Sequence, residues 1–146
     1  MRADVQALLP SMQQLFALKR IVGRKLSGST QPGSFGVLGA LSRTGELRLG
    51  DLAVMLHVHP SVVTRQVAEL QAQGCVERRC DPDDGRSSFV SLTPVGRRAI
   101  DAYIHRAEEL VAKALERWRP EEVSTLTSLT RRLGQDLEAV VTESAA

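Results

Sequence analysis

A mainly α-helical fold carrying one small β-hairpin is what the sequence predicts, and three observations lead to it. Apolar residues recur at three- and four-residue steps through most of the 146 positions, the spacing that gives a helix one apolar face. Aromatic residues are only 3% of the chain, so core volume must come from Leu, Val, Ala and Ile, the side chains of packed helices. Two short β-prone runs flank the turn-rich segment Asp81-Pro82-Asp83-Asp84-Gly85-Arg86, and they alone break the helical period.

From Val5, the apolar positions Leu8, Leu9, Met12, Leu15, Phe16 and Val22 predict a first helix ending near Ser27. The run Ser27–Ser34 is rich in turn formers and predicts a loop, followed by a second helix from Phe35 to about Arg43 that Gly45 breaks. Leu49, Leu52, Ala53 and Leu56 share one face of a third, short helix over about Leu49 to Leu56, which carries Asp51 in its first turn and stops at His57-Val58-His59. Pro60 suits the first turn of a fourth helix, whose inward stripe is Val63, Val67 and Leu70 and which Gly74 ends. Val76–Cys80 and Ser88–Leu92 are the hairpin strands. Thr93-Pro94 caps a long helix predicted to reach about Trp118, and Pro120-Glu121-Glu122 starts a last one striped by Leu126, Leu129, Leu133, Leu137 and Val140 to about Thr142.

The third and fourth helices, joined by a three-residue turn with small Ala53 at the contact, form a corner of the helix-turn-helix kind. In that geometry the fourth helix offers its polar face to the major groove of double-stranded DNA. Ser61 and Thr64 are candidate phosphate donors, Arg65 a candidate bidentate partner for guanine, Gln66 a reader of adenine, and Val62 a contact for a thymine methyl. The hairpin makes the corner a winged helix-turn-helix, with Arg86 at its tip placed to enter a narrow minor groove. Arg48, Arg78, Arg79 and Ser87 are candidates for backbone contact or support of the wing. Asp81, Asp83 and Asp84 repel phosphate, so at least one is expected to pair with Arg86 or Arg79.

These segments run in order through LGDLAVMLHVHPSVVTRQVAELQAQGCVERRCDPDDGRSSFVSLTPVGRRA, which resembles the multiple-antibiotic-resistance regulator (MarR) family. The pieces that carry the resemblance are DLA, SVVTRQVAEL, QGCVERR, the wing tip DPDDGR and the junction VSLTPVGR. It implies that Arg65 touches bases, that Arg86 is the wing arginine, and that the first and last helices pair with a second subunit. It also implies a small-molecule effector, of unspecified chemistry, that binds between the DNA-binding lobe and the dimer core and changes the spacing of the recognition helices. Two positions depart from the pattern: Gly85 stands where the family often has another arginine, and Cys75 where it usually has leucine.

The expected organisation is a single domain over 1–146, with a DNA-binding lobe at about 35–92 and dimerisation helices at about 4–27 and 94–142. The apolar stripes at both ends exceed what one lobe covers, so a homodimer on a pseudo-palindromic operator follows. The function expected is that of a ligand-responsive repressor. A winged-helix protein-interaction module and a thiol-based redox regulator are the alternatives. The net charge of +2 is too small to decide between them, though 16 of the 19 basic residues are Arg, the side chain suited to phosphate and guanine edges. Cys80 on the hairpin is the candidate redox thiol, whereas Cys75 occupies a buried apolar position; thiol-sensing members of the family usually carry their cysteine in the first helix, which has none. Two cysteines and His57, His59 and His105 complete no zinc set, so no metal and no cofactor are expected. No nucleophile–base set or phosphate-cradling glycine loop can be assembled, which argues against an enzyme. The N-terminus lacks the pattern of a signal peptide and no apolar run is long enough for a bilayer, so a cytoplasmic protein, nucleoid-associated when bound to DNA, is expected.

Overall fold

A computed structural model describes residues 1–28, 30 and 33–144. The chain divides into two compact units, Met1–Ala107 and Glu108–Ala146. The first holds α1 (Arg2–Ser27), α2 (Ser34–Thr44), β1 (Leu47–Arg48), α3 (Leu49–Met55), α4 (Pro60–Ala72), β2 (Val76–Cys80), β3 (Ser88–Leu92) and the start of α5 (Pro94–Ala114); the second holds the end of α5 and α6 (Pro120–Ser144). The fold is therefore mostly helical with a small antiparallel sheet, as the periodicity predicts. Of the turn-rich run Ser27–Ser34, residues Ser29, Gln31 and Pro32 lie outside the described residues.

The core of the first unit joins the predicted stripes of α3 and α4 to apolar residues of α2. Val37, Leu38 and Leu41 of α2, Leu52 and Ala53 of α3, and Val63, Val67 and Leu70 of α4 are buried around Val76, Val90 and Ile100. Phe35 and Tyr103 stack with ring centroids 4.2 Å apart, joining α2 to α5. Ala53 stands at the corner between α3 and α4, where its carbonyl accepts the Val58 amide at 3.1 Å. The turn is completed by His57 in the left-handed region (φ 52°), a conformation that His tolerates better than branched residues do.

The predicted hairpin β2–β3 forms, and one strand is added to it: β1 pairs antiparallel with β3, giving the order β1-β3-β2. A two-residue strand shows no alternation, so no sequence pattern could announce it. The long helix α5 stops at Ala114, not near Trp118. The amide of Trp118 turns back to the Leu115 carbonyl at 2.9 Å, and Pro120 disfavours helical backbone in the residue before it. The α6 N-terminus is then closed by Glu122, whose carboxylate accepts the Arg119 amide at 2.9 Å.

Helices α1 and α6 carry large exposed apolar side chains. On α1 these are Leu8, Leu9, Leu15, Phe16 and Ile21; on α6 they are Leu126, Leu129, Leu137, Val140 and Val141. Among the described residues no helix is long and apolar enough to cross a membrane.

Candidate nucleic-acid interface

Helix α4 begins with a self-contained cap. His59 precedes the helix in extended conformation, and its Nδ1 accepts the Ser61 amide at 3.2 Å. The Ser61 hydroxyl lies 2.7 Å from the same nitrogen and shares a hydrogen bond with it whose direction follows the His59 tautomer. Pro60 fills the first turn, where no amide donor is needed. The Thr64 hydroxyl donates to the Pro60 carbonyl at 2.9 Å. The Thr64 proton is thus engaged inside the first turn and reaches a phosphate only after rotating away, while the Ser61 oxygen is held against His59. The histidines expected to serve the turn are accounted for by His57 at the left-handed position and His59 at the cap.

The remaining α4 candidates differ in how they are held. Arg65 is exposed and, among the described residues, has no ion-pair or hydrogen-bond partner. Val62 is half-buried at the edge of the same face. Gln66 is also half-buried, and its amide lies over Gly33: a Cβ at Gly33 would come within 2.5 Å of Nε2. Gly33 therefore leaves room for the glutamine amide beside the start of α2.

The wing turn is braced by its own acids. The Asp81 carboxylate accepts the Asp83 amide at 2.9 Å, and the Asp84 carboxylate accepts the Arg86 amide at 3.0 Å. The Asp84 carbonyl takes the Ser87 amide at 3.0 Å, and the Ser87 carbonyl takes the Asp81 amide at 3.1 Å. These bonds hold the backbone on either side of Arg86, whose side chain is exposed. Ser87 serves through its backbone, and Arg78 reaches across to the Ser88 hydroxyl at 3.0 Å.

The pairing expected for the acids is corrected. Neither Arg86 nor Arg79 takes Asp81; its partner is Arg48 of β1, with Oδ2 2.9 Å from the guanidinium. That contact is an ion pair by distance, without the alignment of a hydrogen bond. Arg79 instead holds Glu46 in a two-pronged grip, with Nε at 2.6 Å from Oε1 and the terminal nitrogen at 3.1 Å from Oε2. The register explains both. Arg48 and Arg79 each lie opposite Phe89 on the outer face of the sheet, and their guanidinium carbons sit 5.3 and 4.4 Å from its ring centroid. Two crossed ion pairs thus span the middle strand, each resting on one phenylalanine. The hydrogen bonds and charge of Glu46, with a smaller contribution from Asp81, raise the Arg79 pKa and keep it fully charged.

Cys75 is buried and Cys80 exposed, and burial pushes the Cys75 thiol pKa up. Among the described residues no group of His, Cys, Asp and Glu is gathered for a metal.

A family model described as MarR family matches residues 28–87, the stretch from the end of α1 to the wing. An uncharacterized HTH-type transcriptional regulator of Mycobacterium bovis is 30% identical over 131 residues, which cover 88% of this chain and 86% of that protein. The chain belongs to the MarR family. Like other MarR family members it is a DNA-binding, winged helix-turn-helix transcriptional regulator and not an enzyme. The HTH-type transcriptional repressor MdtR of Bacillus subtilis is 25% identical over 136 residues, 93% of this chain and 87% of its own. The structure of a MarR family protein from Bacillus stearothermophilus superposes with a TM-score of 0.84, covering 94% of this chain and 98% of the other at 24% identity.

Proposed function

We propose that this MarR family member is a cytoplasmic, homodimeric repressor that reads a pseudo-palindromic operator with α4 and the wing and releases it in response to a small molecule. The observation that carries the reading is the contrast among its arginines. Arg65 on α4 and Arg86 on the wing tip are exposed, whereas Arg48 and Arg79 are committed to carboxylates. Arg65 supplies the bidentate contact to a base edge, and Arg86 supplies charge to the minor groove. Val62 packs on a thymine methyl, Ser61 and Thr64 follow the backbone after rotating, and Gln66 reads a base only when it leaves Gly33. Arg48, Arg79 and Ser87 support the wing.

Dimerisation is supported by the exposed apolar stripes of α1 and of α6, each larger than scattered surface residues would give. A two-fold axis then sets two recognition helices about one DNA turn apart. The effector reading is supported by a cleft of about 860 Å³ in the first unit, lined by Phe16, Arg20, Phe35, Gly36 and Tyr103 among others. A ligand there shifts DNA binding only if it favours one spacing of the two α4 helices over the other.

The test is selection of bound duplexes from fragments of the source genome, followed by titration of salt on the recovered site. Two related half-sites and an affinity that falls steeply with salt are expected. Recovery of no preferred duplex would overturn the operator reading.

A further inference from the structure

We propose that Glu46 is a specificity-determining residue: it occupies the fork of Arg79 as a phosphate would and so withholds that guanidinium from DNA. The inference rests on the reading above, in which the wing lies on the duplex.

The geometry supplies the argument. A guanidinium presents parallel donors that match the two oxygens of either a carboxylate or a phosphate. Both Glu46 oxygens are engaged by Arg79, at 2.6 and 3.1 Å. The grip is also oriented, because the Arg79 guanidinium carbon sits 4.4 Å from the Phe89 ring centroid and Glu46 lies just outside β1, across the middle strand. Arg79 remains more than half exposed, so a polyanion can approach it, and only the carboxylate in its fork stands between it and a phosphate. Arg48 is paired with Asp81 by a single contact at 2.9 Å, close enough for an ion pair but not aligned as a hydrogen bond, and the Asp81 side chain is almost wholly buried.

The consequence concerns selectivity. Each Lys or Arg that neutralises a phosphate adds sequence-independent affinity and steepens the dependence on salt. A wing with Arg48, Arg79 and Arg86 all free would hold any duplex more tightly. Pairing two of the three across the outer face of the sheet leaves Arg86 as the tip cation and lowers binding to unrelated DNA relative to the operator.

The test measures the salt slope of binding to random-sequence duplex for wild type, Glu46→Gln, Arg79→Gln and the double variant. Glu46→Gln keeps shape while removing charge, and Arg79→Gln keeps a planar amide over Phe89; thermal midpoints establish that each is folded. Glu46→Gln is expected to steepen the slope by about 0.9 per subunit and to narrow the ratio of operator to random affinity. Arg79→Gln leaves the slope at its wild-type value, and the double variant matches Arg79→Gln. An unchanged slope in Glu46→Gln would overturn the proposal. So would a steepening that persists in the double variant, which would mark a general charge effect, or a shallower slope in Arg79→Gln alone, which would place Arg79 on DNA already. If wild type bound no duplex in a salt-dependent way, the operator reading would fail together with this one.

Discussion

Gly96 gives the sharpest test of the packing that holds the wing to the helical core. It lies buried in the first turn of α5, where its amide donates to the Thr93 hydroxyl oxygen at 3.1 Å. A Cβ on Gly96 would collide with the Cys75 carbonyl oxygen and sit 3.1 Å from Leu92 Cδ2. Leu92 can rotate, but the Cys75 backbone cannot yield easily. Its amide bonds the Leu70 carbonyl at 2.8 Å and its carbonyl takes the Thr93 amide at 3.1 Å. Two effects oppose each other in Gly96→Ala. Alanine is favoured over glycine in a helix by up to about 1 kcal/mol, whereas overpacking costs about 1–3 kcal/mol. An obstacle made of backbone puts this clash at the upper end. The net expectation is a loss of about 2 kcal/mol, or a fall in Tm of roughly 4–8 °C for a chain of this size. Gly50→Ala is the control, since nothing lies within 4 Å of its Cβ at this exposed position of α3; it should gain up to about 1 kcal/mol. Thermal and urea unfolding, followed by circular dichroism at one protein concentration, measure both. A Gly96→Ala protein as stable as wild type, or shifted upward like Gly50→Ala, would refute the close approach of α5 to Cys75.

Other expectations follow from the same structure. Arg86→Ala should flatten the salt dependence of operator binding by about 0.9 per subunit while preserving the ranking of operator variants; an unchanged slope would take the wing tip off the DNA. Cys80 should react with a thiol reagent in the native protein well before Cys75, and equal rates would contradict the burial difference. Because burial raises the Cys75 pKa above its unfolded value, its contribution to stability is intact below the unfolded pKa of about 8.5 and is lost as pH rises through the folded pKa. Cys75→Ala should therefore fall less steeply in stability on the alkaline side than wild type does. Leu129→Asp, placed on the exposed stripe of α6, should shift the protein from dimer to monomer in sedimentation equilibrium, and a persistent dimer would put the interface elsewhere.

What the sequence announced, and what it hid, have physical reasons. The strands Val76–Cys80 and Ser88–Leu92 were legible to the residue because Gly74, the Pro82–Gly85 turn and Pro94 bound them on every side. The stripes Leu52–Ala53 and Val63–Leu70 were legible because a helix buries one face at fixed spacing. The α5 terminus was overrun because Val111, Leu115 and Trp118 keep an apolar spacing through a segment that is no longer helical. β1 escaped because two residues carry no period, and with it went the clasp: Glu46 and Arg79 are 33 positions apart, and only the sheet brings them together. Arg65 and Arg86 could be singled out by type and position. That the hydroxyls of Ser61 and Thr64 are engaged within α4, and that Gln66 folds over Gly33, depends on rotamers that no spacing encodes.

The central claim is that the exposed side of α4 reads base edges through Arg65. Its most direct measurement compares wild type and Arg65→Ala on a set of operators carrying every single-base substitution. The account predicts that the variant loses discrimination at one base pair in each half-site, by about 1–3 kcal/mol, while preferences elsewhere persist. A variant whose substitution profile coincides with that of wild type would contradict it.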